Sequence, residues 1–304
     1  MGRIEKIIAL SVLVILLLLI VVLMQQSLNT GGQERIYSIS VLVEDLSDNQ
    51  RRGMDKAALV HNVDVHYISG FPGDGKLQTD YLQREISNGV DAVILKAEDA
   101  VYMTEWLNQS RTSIPIVCLG DDLTGTEAVR VTPDNLELGK LLGEKICEET
   151  LNLPCTVFIN AHAQQHLLER REGLAEALES AGRSLECVTI SGAKRSLSTA
   201  LAGRPYGVAV VLDETLLPLL CEEARQGDAL YGIGFSGQVR TDLEEGRLNA
   251  VAVYSGYDEG YMAMECAANA AGTPPAQDVI LSGMLVDASN MYETPQSLVL
   301  FPIS

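Results

Sequence analysis

From residue 36 onward the chain alternates short apolar runs with amphipathic stretches, and no other feature narrows its fold as much. Residues 36–43 read as a buried strand, followed by a helix over 48–61 and a strand over 63–68. A helix over 76–88, with Leu77, Tyr81, Leu82 and Ile86 on one face, leads to a strand at 91–95. A helix at 99–110 ends before the strand 114–119, and an extended piece at 127–132 precedes the helix 135–150. The second half repeats the theme, with strands at 155–159, 185–190, 207–212, 230–234 and 249–253. Its helices fall at 165–181, 214–226 and 256–271, with a short one after 234. Strands flanked by helices on both sides imply α/β architecture with parallel, doubly wound sheets. So many strands fit two sheets better than one. Ligands of such folds sit beyond the carboxyl ends of the strands, so the residues just after each strand are the candidate site.

Ahead of this region runs an apolar segment, residues 7–24, in which Ser11 is the only polar side chain. As a helix it would be about 27 Å long, close to the thickness of a bilayer's hydrocarbon core. Arg3 and Lys6 precede it and residues 25–32 carry no charge, which orients residues 1–6 toward the cytoplasm and the bulk of the chain outside. The expectation is a single-pass signal-anchor in the cell membrane, a tether over 25–35, and an extracytoplasmic remainder. A cleaved signal is the alternative, although residues 24–32 offer only a poor small-x-small site. A lipid-bearing cysteine is not available there, since the first cysteine is Cys118.

The chain carries a net charge of −19. Removing Arg3, Lys6 and Glu5 from the 22 basic and 41 acidic side chains leaves 20 and 40 for the exported part. That balance argues against nucleic acid and against anionic lipid surfaces, both of which select basic patches. The six cysteines form no CxxC pair and lie mostly in apolar stretches, which favours buried free thiols over a disulfide framework.

Motifs that would carry other chemistry fall short. Residues 232–237 satisfy GxGxxG after a strand, but the next strand ends in Tyr254 rather than in an acid that could bind a ribose. The glycines then serve a tight strand exit. His162 and His166 have zincin spacing, yet Gln165 stands where a catalytic glutamate is needed. No serine elbow or Cys–His pairing is present, so the sequence gives no support for an enzyme, a metal site or a cofactor.

Seven short segments, in order, are similar to those of one family: NGVDAVIL at 88–95, IPIV at 114–117, TPDNLELGK at 132–140, ERREGLAEAL at 169–178, Asp213-Glu214, GFSG at 234–237, and DEGYMAME at 258–265. Together they resemble the type I periplasmic solute-binding proteins, in the ribose-binding-like branch associated with ABC transporters. The resemblance implies two Rossmann-like lobes joined by a three-strand hinge and closing on a small ligand, usually a sugar. It places one lobe at 36–133 plus 255–281 and the other at 134–254 plus 282–304. Closure follows physically: contacts from both lobes stabilise only the shut state.

Carried over position by position, the family's ligand anchors are mostly changed. Arg170 is retained. The aspartate expected after 114–117 falls on Gly120, with Asp121 and Asp122 next; the asparagine of the Asp213-Glu214 segment is Leu212; the aspartate of the 234–237 segment is Ser236; the hinge glutamine is Tyr254. The candidate ligand residues are therefore Asp45, Asp121, Arg170, Asp213, Ser236 and Tyr254. Tyr257 and Trp106 are further aromatics, Trp106 more naturally a core residue. The expected function is capture of a small polar, sugar-like molecule for an ABC importer. The alternative is a receptor that presents the ligand to a membrane sensor kinase without transport. A sugar-responsive transcription factor would need a DNA-binding unit where the membrane segment stands.

Overall fold

The computed structural model describes Ile20 and residues 35–301, apart from 111, 121, 122, 124, 161–164, 192, 193 and 273–276. The expected membrane segment therefore lies, but for Ile20, outside the described residues. Among the described residues no helix is long and apolar enough to cross a membrane.

In chain order the first half contributes β1 (Tyr37–Leu42), α1 (Asp48–His61), β2 (Val63–Ile68), α2 (Gly75–Asn88), β3 (Ala92–Leu95), α3 (Ala100–Ser110), β4 (Ile116–Leu119) and β5 (Val129–Pro133). After α4 (Asn135–Glu149) come β6 (Cys155–Asn160), α5 (Gln165–Ser180), β7 (Leu185–Ile190), α6 (Lys194–Ala202) and β8 (Val208–Val211). They are followed by α7 (Leu217–Glu223), β9 (Ala229–Ile233), α8 (Gly237–Glu244) and β10 (Ala250–Val253). The chain ends with α9 (Gly256–Gly272), β11 (Val279–Leu281), β12 (Met284–Asp287) and α10 (Gln296–Leu300).

The strands form two six-stranded sheets, ordered β11-β5-β4-β3-β1-β2 and β12-β10-β9-β8-β6-β7. All pairings are parallel except β10–β12. The purely parallel expectation is thus corrected at one edge: the chain passes from β11 in the first sheet to β12 in the second over two residues, with no helix to carry it to the amino ends of the strands there, so Met284 starts beside Val253 at the carboxyl end of β10 and β12 runs back antiparallel to it. Central strands β3, β4, β8 and β10 are buried along their full length, because helices cover both faces. One core layer of each lobe packs Ile39, Val41 and Met54 against Met264, or Leu142 and Leu174 against Val210; the opposite faces close over Leu82 and Met103, or over Leu197 and Leu217.

Local signals explain the helix limits. Ser47 caps α1 and shares a capping box with Gln50, while Asn62 ends the helix in a left-handed turn. Asp74 and Gly89 bound α2 in the same way. Helix α7 begins at Leu217 rather than near 214, because the Asp213 carboxylate accepts from both the backbone N–H and the hydroxyl of Thr215 and holds 213–216 in a turn. Pro218 then occupies the first turn of the helix.

The chain crosses between sheets at Pro133–Asn135, Val253–Gly256 and Leu281–Met284, and the Asp134 N–H donates to the Leu281 carbonyl at 2.9 Å to tie two of these crossings. Each crossing helix lies directly on the first helix of the lobe it enters, α9 on α1 and α4 on α5. Glycine makes this approach possible. A Cβ on Gly260 would sit 2.0 Å from the Gln50 carbonyl oxygen, and one on Gly173 would sit 2.0 Å from that of Leu136. All six cysteines are free thiols. Cys187 is exposed, against the expectation of burial, on the edge strand β7.

Candidate ligand-binding cleft

The carboxyl ends of both sheets face one cleft of about 720 Å³. Its walls are the strand exits. Asp45 follows β1, Lys96 follows β3, Gly120 follows β4, Asp213 and Glu214 follow β8, Gly234 follows β9 and Tyr254 follows β10. A larger hollow of about 1000 Å³ opens at the opposite, amino ends of β3 and β4, around Asp91, Ser113 and Ala271. Size alone does not select the site. Only the first cleft lies at the strand ends where doubly wound sheets bind ligands, and only it takes residues from both lobes.

Of the residues expected from the sequence, Asp45, Arg170, Asp213, Ser236 and Tyr254 line this cleft, and Asp121 lies outside the described residues. Asp45 is exposed at the rim. Gln78 sets the height of the two strand exits beside it: its Nε2 donates to the Leu42 carbonyl (3.3 Å) and the Lys96 carbonyl (2.7 Å), and its Oε1 accepts from the Glu98 N–H (3.0 Å).

Arg170 is 7 % exposed. Its Nε donates to Asn135 Oδ1 at 2.9 Å and its Nη1 to the Leu212 carbonyl at 2.9 Å. No carboxylate of the described chain pairs with it, so a buried cation is presented to the cleft with donors in hand. Leu212 itself is buried among Leu142, Val157 and Val210. Leu212 stands where the resemblance places an asparagine; its side chain belongs to the core, and its carbonyl serves the site by fixing Arg170.

Asp213 divides its oxygens between Thr215 and the Asn160 amide, the latter at 3.1 Å. Ser236 caps α8, accepting from the Val239 N–H at 3.2 Å. Gly234, with φ of +119°, needs the conformational freedom of glycine, and a Cβ there would also lie 2.5 Å from that of Glu214. The GxGxxG stretch therefore makes a strand exit and a capped helix start. Phe235 and Phe301 meet edge to face at 5.9 Å and supply apolar wall. Tyr257 stacks on Tyr261 and is not among the residues lining the cleft, and Trp106 packs against the first-lobe core. His162 lies outside the described residues, and among those described no cluster of His, Cys, Asp and Glu could hold a metal.

Gln50, Glu214 and Glu259 were not singled out by sequence reasoning. Glu214 stands in a strand-exit position, a signal available beforehand. Glu259 lies in the first turn of α9, 3 % exposed, and accepts from Gln50 Nε2 at 2.7 Å across 209 residues of sequence. Burial raises its pKa to about 7 against the pull of the Gln50 hydrogen bond. The phenol of Tyr254 is held well above its usual range, first by the charge of Glu259, then by burial and by Glu214.

Comparison with known proteins agrees with this architecture. Residues 38–274 match the periplasmic binding protein domain family. The chain is similar in structure to the substrate-binding protein of a sugar ABC transport system from Bordetella parapertussis 12822 (TM-score 0.76, 21 % identity, covering 88 % of this chain and 94 % of that one). It is also similar to an ABC transporter solute-binding protein from Bacillus halodurans C-125 with bound myo-inositol (TM-score 0.73, 18 % identity, 88 % and 99 % covered). A third likeness is to a carbohydrate transporter solute-binding protein from Agrobacterium radiobacter in complex with D-arabinose (TM-score 0.74, 16 % identity, 87 % and 98 % covered). No curated protein sequence matches the chain significantly. With the fold and the two-lobe cleft in agreement, the chain belongs to the periplasmic binding protein domain family, whose members bind solutes rather than transform them.

Proposed function

We propose that the chain captures a small polyhydroxylated, sugar-like solute between its lobes and delivers it to an ABC importer, working outside the cell while held to the membrane by residues 7–24. The observation that carries the binding reading is Arg170: a buried guanidinium in the cleft, fixed by two hydrogen bonds and without an anionic partner among the described residues. Planar donors of this kind suit the paired oxygens of a polyol. Asp213 and Asp45 add acceptors, and Phe235, Phe301 and Tyr254 add the apolar surface that covers a sugar ring's face. Structural relatives bound to myo-inositol and D-arabinose support the same class of ligand. The tether is supported by the length and flanking charge of the apolar segment, and retention near a membrane partner raises effective concentration there.

Thermal-shift screening of the full chain against pentoses, hexoses and polyols tests the binding reading. A stabilising ligand is expected, with Arg170→Met weakening it at least tenfold. An Arg170→Met protein that responds as wild type does would remove the main support. For the tether, the chain should stay with sedimented membranes after an alkaline carbonate wash, and its release into the supernatant would sink that part.

A further inference from the structure

The charges in the cleft are not balanced, and the imbalance sits on opposite lobes. On the first-lobe side, Glu259 is a nearly inaccessible carboxyl that lines the cleft. One of its oxygens accepts from Gln50, and the other has no hydrogen-bond partner among the described residues. Neither Lys96 nor Arg170 comes within the 4 Å of an ion pair with it, although both act on its charge from a distance. On the second-lobe side, Glu214 projects from the exit of β8, exposed and wedged against Gly234. Both carboxylates line the same cleft as Tyr254, and both raise the pKa of its phenol.

Closing the lobes on a neutral ligand would draw these acids together while water leaves, which raises the cost of keeping both ionised. A cation between them turns the same geometry into an attraction made only in the closed state. The buried base does not compete for this role, because Arg170 already donates to Asn135 and Leu212 and stays available to hydroxyls.

We propose that the ligand is a polyhydroxylated amine, an amino sugar or amino polyol, whose ammonium is held between Glu259 of the first lobe and Glu214 of the second. The inference rests on the sugar-like reading above and narrows it. Lys96 and Arg240, on the two sides of the cleft, make an acidic sugar the natural competitor, so the test includes one.

Calorimetry and thermal shift on the full chain at pH 7 would compare matched pairs: glucose with glucosamine, galactose with galactosamine, sorbitol with glucamine, and glucuronate as the acidic arm. At least one amine is expected to bind tenfold or more tightly than its neutral parent. Glu259→Gln and Glu214→Gln should each remove most of that advantage; Glu214 is exposed, so its variant does not disturb packing. Tighter binding by neutral parents or by glucuronate, or an amine advantage that survives in Glu259→Gln, overturns the amine assignment and leaves the sugar-like reading in place. Silence from every compound overturns both.

Discussion

The two lobes solve one packing problem in the same way and then put opposite charges on the solution. In each, a crossing helix lies against the lobe's first helix so closely that glycine is needed at the contact: Gly53 and Gly260 between α1 and α9, Gly139 and Gly173 between α5 and α4. In each, a polar pair bridges the crossing where it reaches the cleft. The first lobe uses Gln50 and the acid Glu259, the second Asn135 and the base Arg170. The crossings position the site but do not determine its chemistry. Backbone proximity is a property of the glycines, and the charge at each crossing is a property of one side chain, Glu259 or Arg170.

The close helix contacts of both lobes depend most heavily on the glycines. Gly173→Ala and Gly260→Ala each place a methyl group 2.0 Å from a backbone carbonyl oxygen, with no flexible atom to yield. The helices must separate, and each variant should lose about 3 kcal/mol or more, measured by denaturant unfolding. Costs under about 1 kcal/mol would mean that the crossings are looser than described. A large loss in one lobe with none in the other would show that the likeness between them is only formal.

The alternation of strands and helices was legible because it is local. The caps Ser47, Asp74 and Gly89 and the apolar faces of α1 and α2 are written within single turns of sequence. What escaped was short or distant. Strands β11 and β12 span three and four residues, too few for a period to register, and α6 went unread between two strands. Within the cleft, strand-exit residues such as Asp213 and Tyr254 could be picked from the fold class alone. Glu259 could not, because a charged residue in the first turn of a helix reads as solvated until α1 is folded over it. The part played by the Leu212 carbonyl was equally hidden, because a backbone acceptor leaves no mark on residue type.

The two charged residues should respond differently when each is neutralised. Glu259 has a folded-state pKa of about 7 against an ordinary value of 4.5, so the folded protein binds this proton more tightly than the unfolded chain does. The ligand-free fold therefore loses stability as pH rises from about 4.5 through 7, and the loss is complete above that. Glu259→Gln keeps an acceptor for Gln50 and removes the charge. It should stabilise the ligand-free protein by up to about 3 kcal/mol at pH 8, with the gain shrinking to little at pH 4.5. Arg170→Met should act in the opposite direction. It removes the donor to Asn135 Oδ1 and to the Leu212 carbonyl. A guanidinium is weakly hydrated, so less is recovered by removing it than by removing a buried carboxylate. A loss of about 2 kcal/mol at pH 5 is expected from denaturant unfolding, and a larger one at pH 8, where Glu259 is ionised and loses the attraction of Arg170. If Glu259→Gln destabilised the protein at pH 8, or if Arg170→Met stabilised it there, the strained group would be the base rather than the acid, and the amine assignment would lose its physical ground.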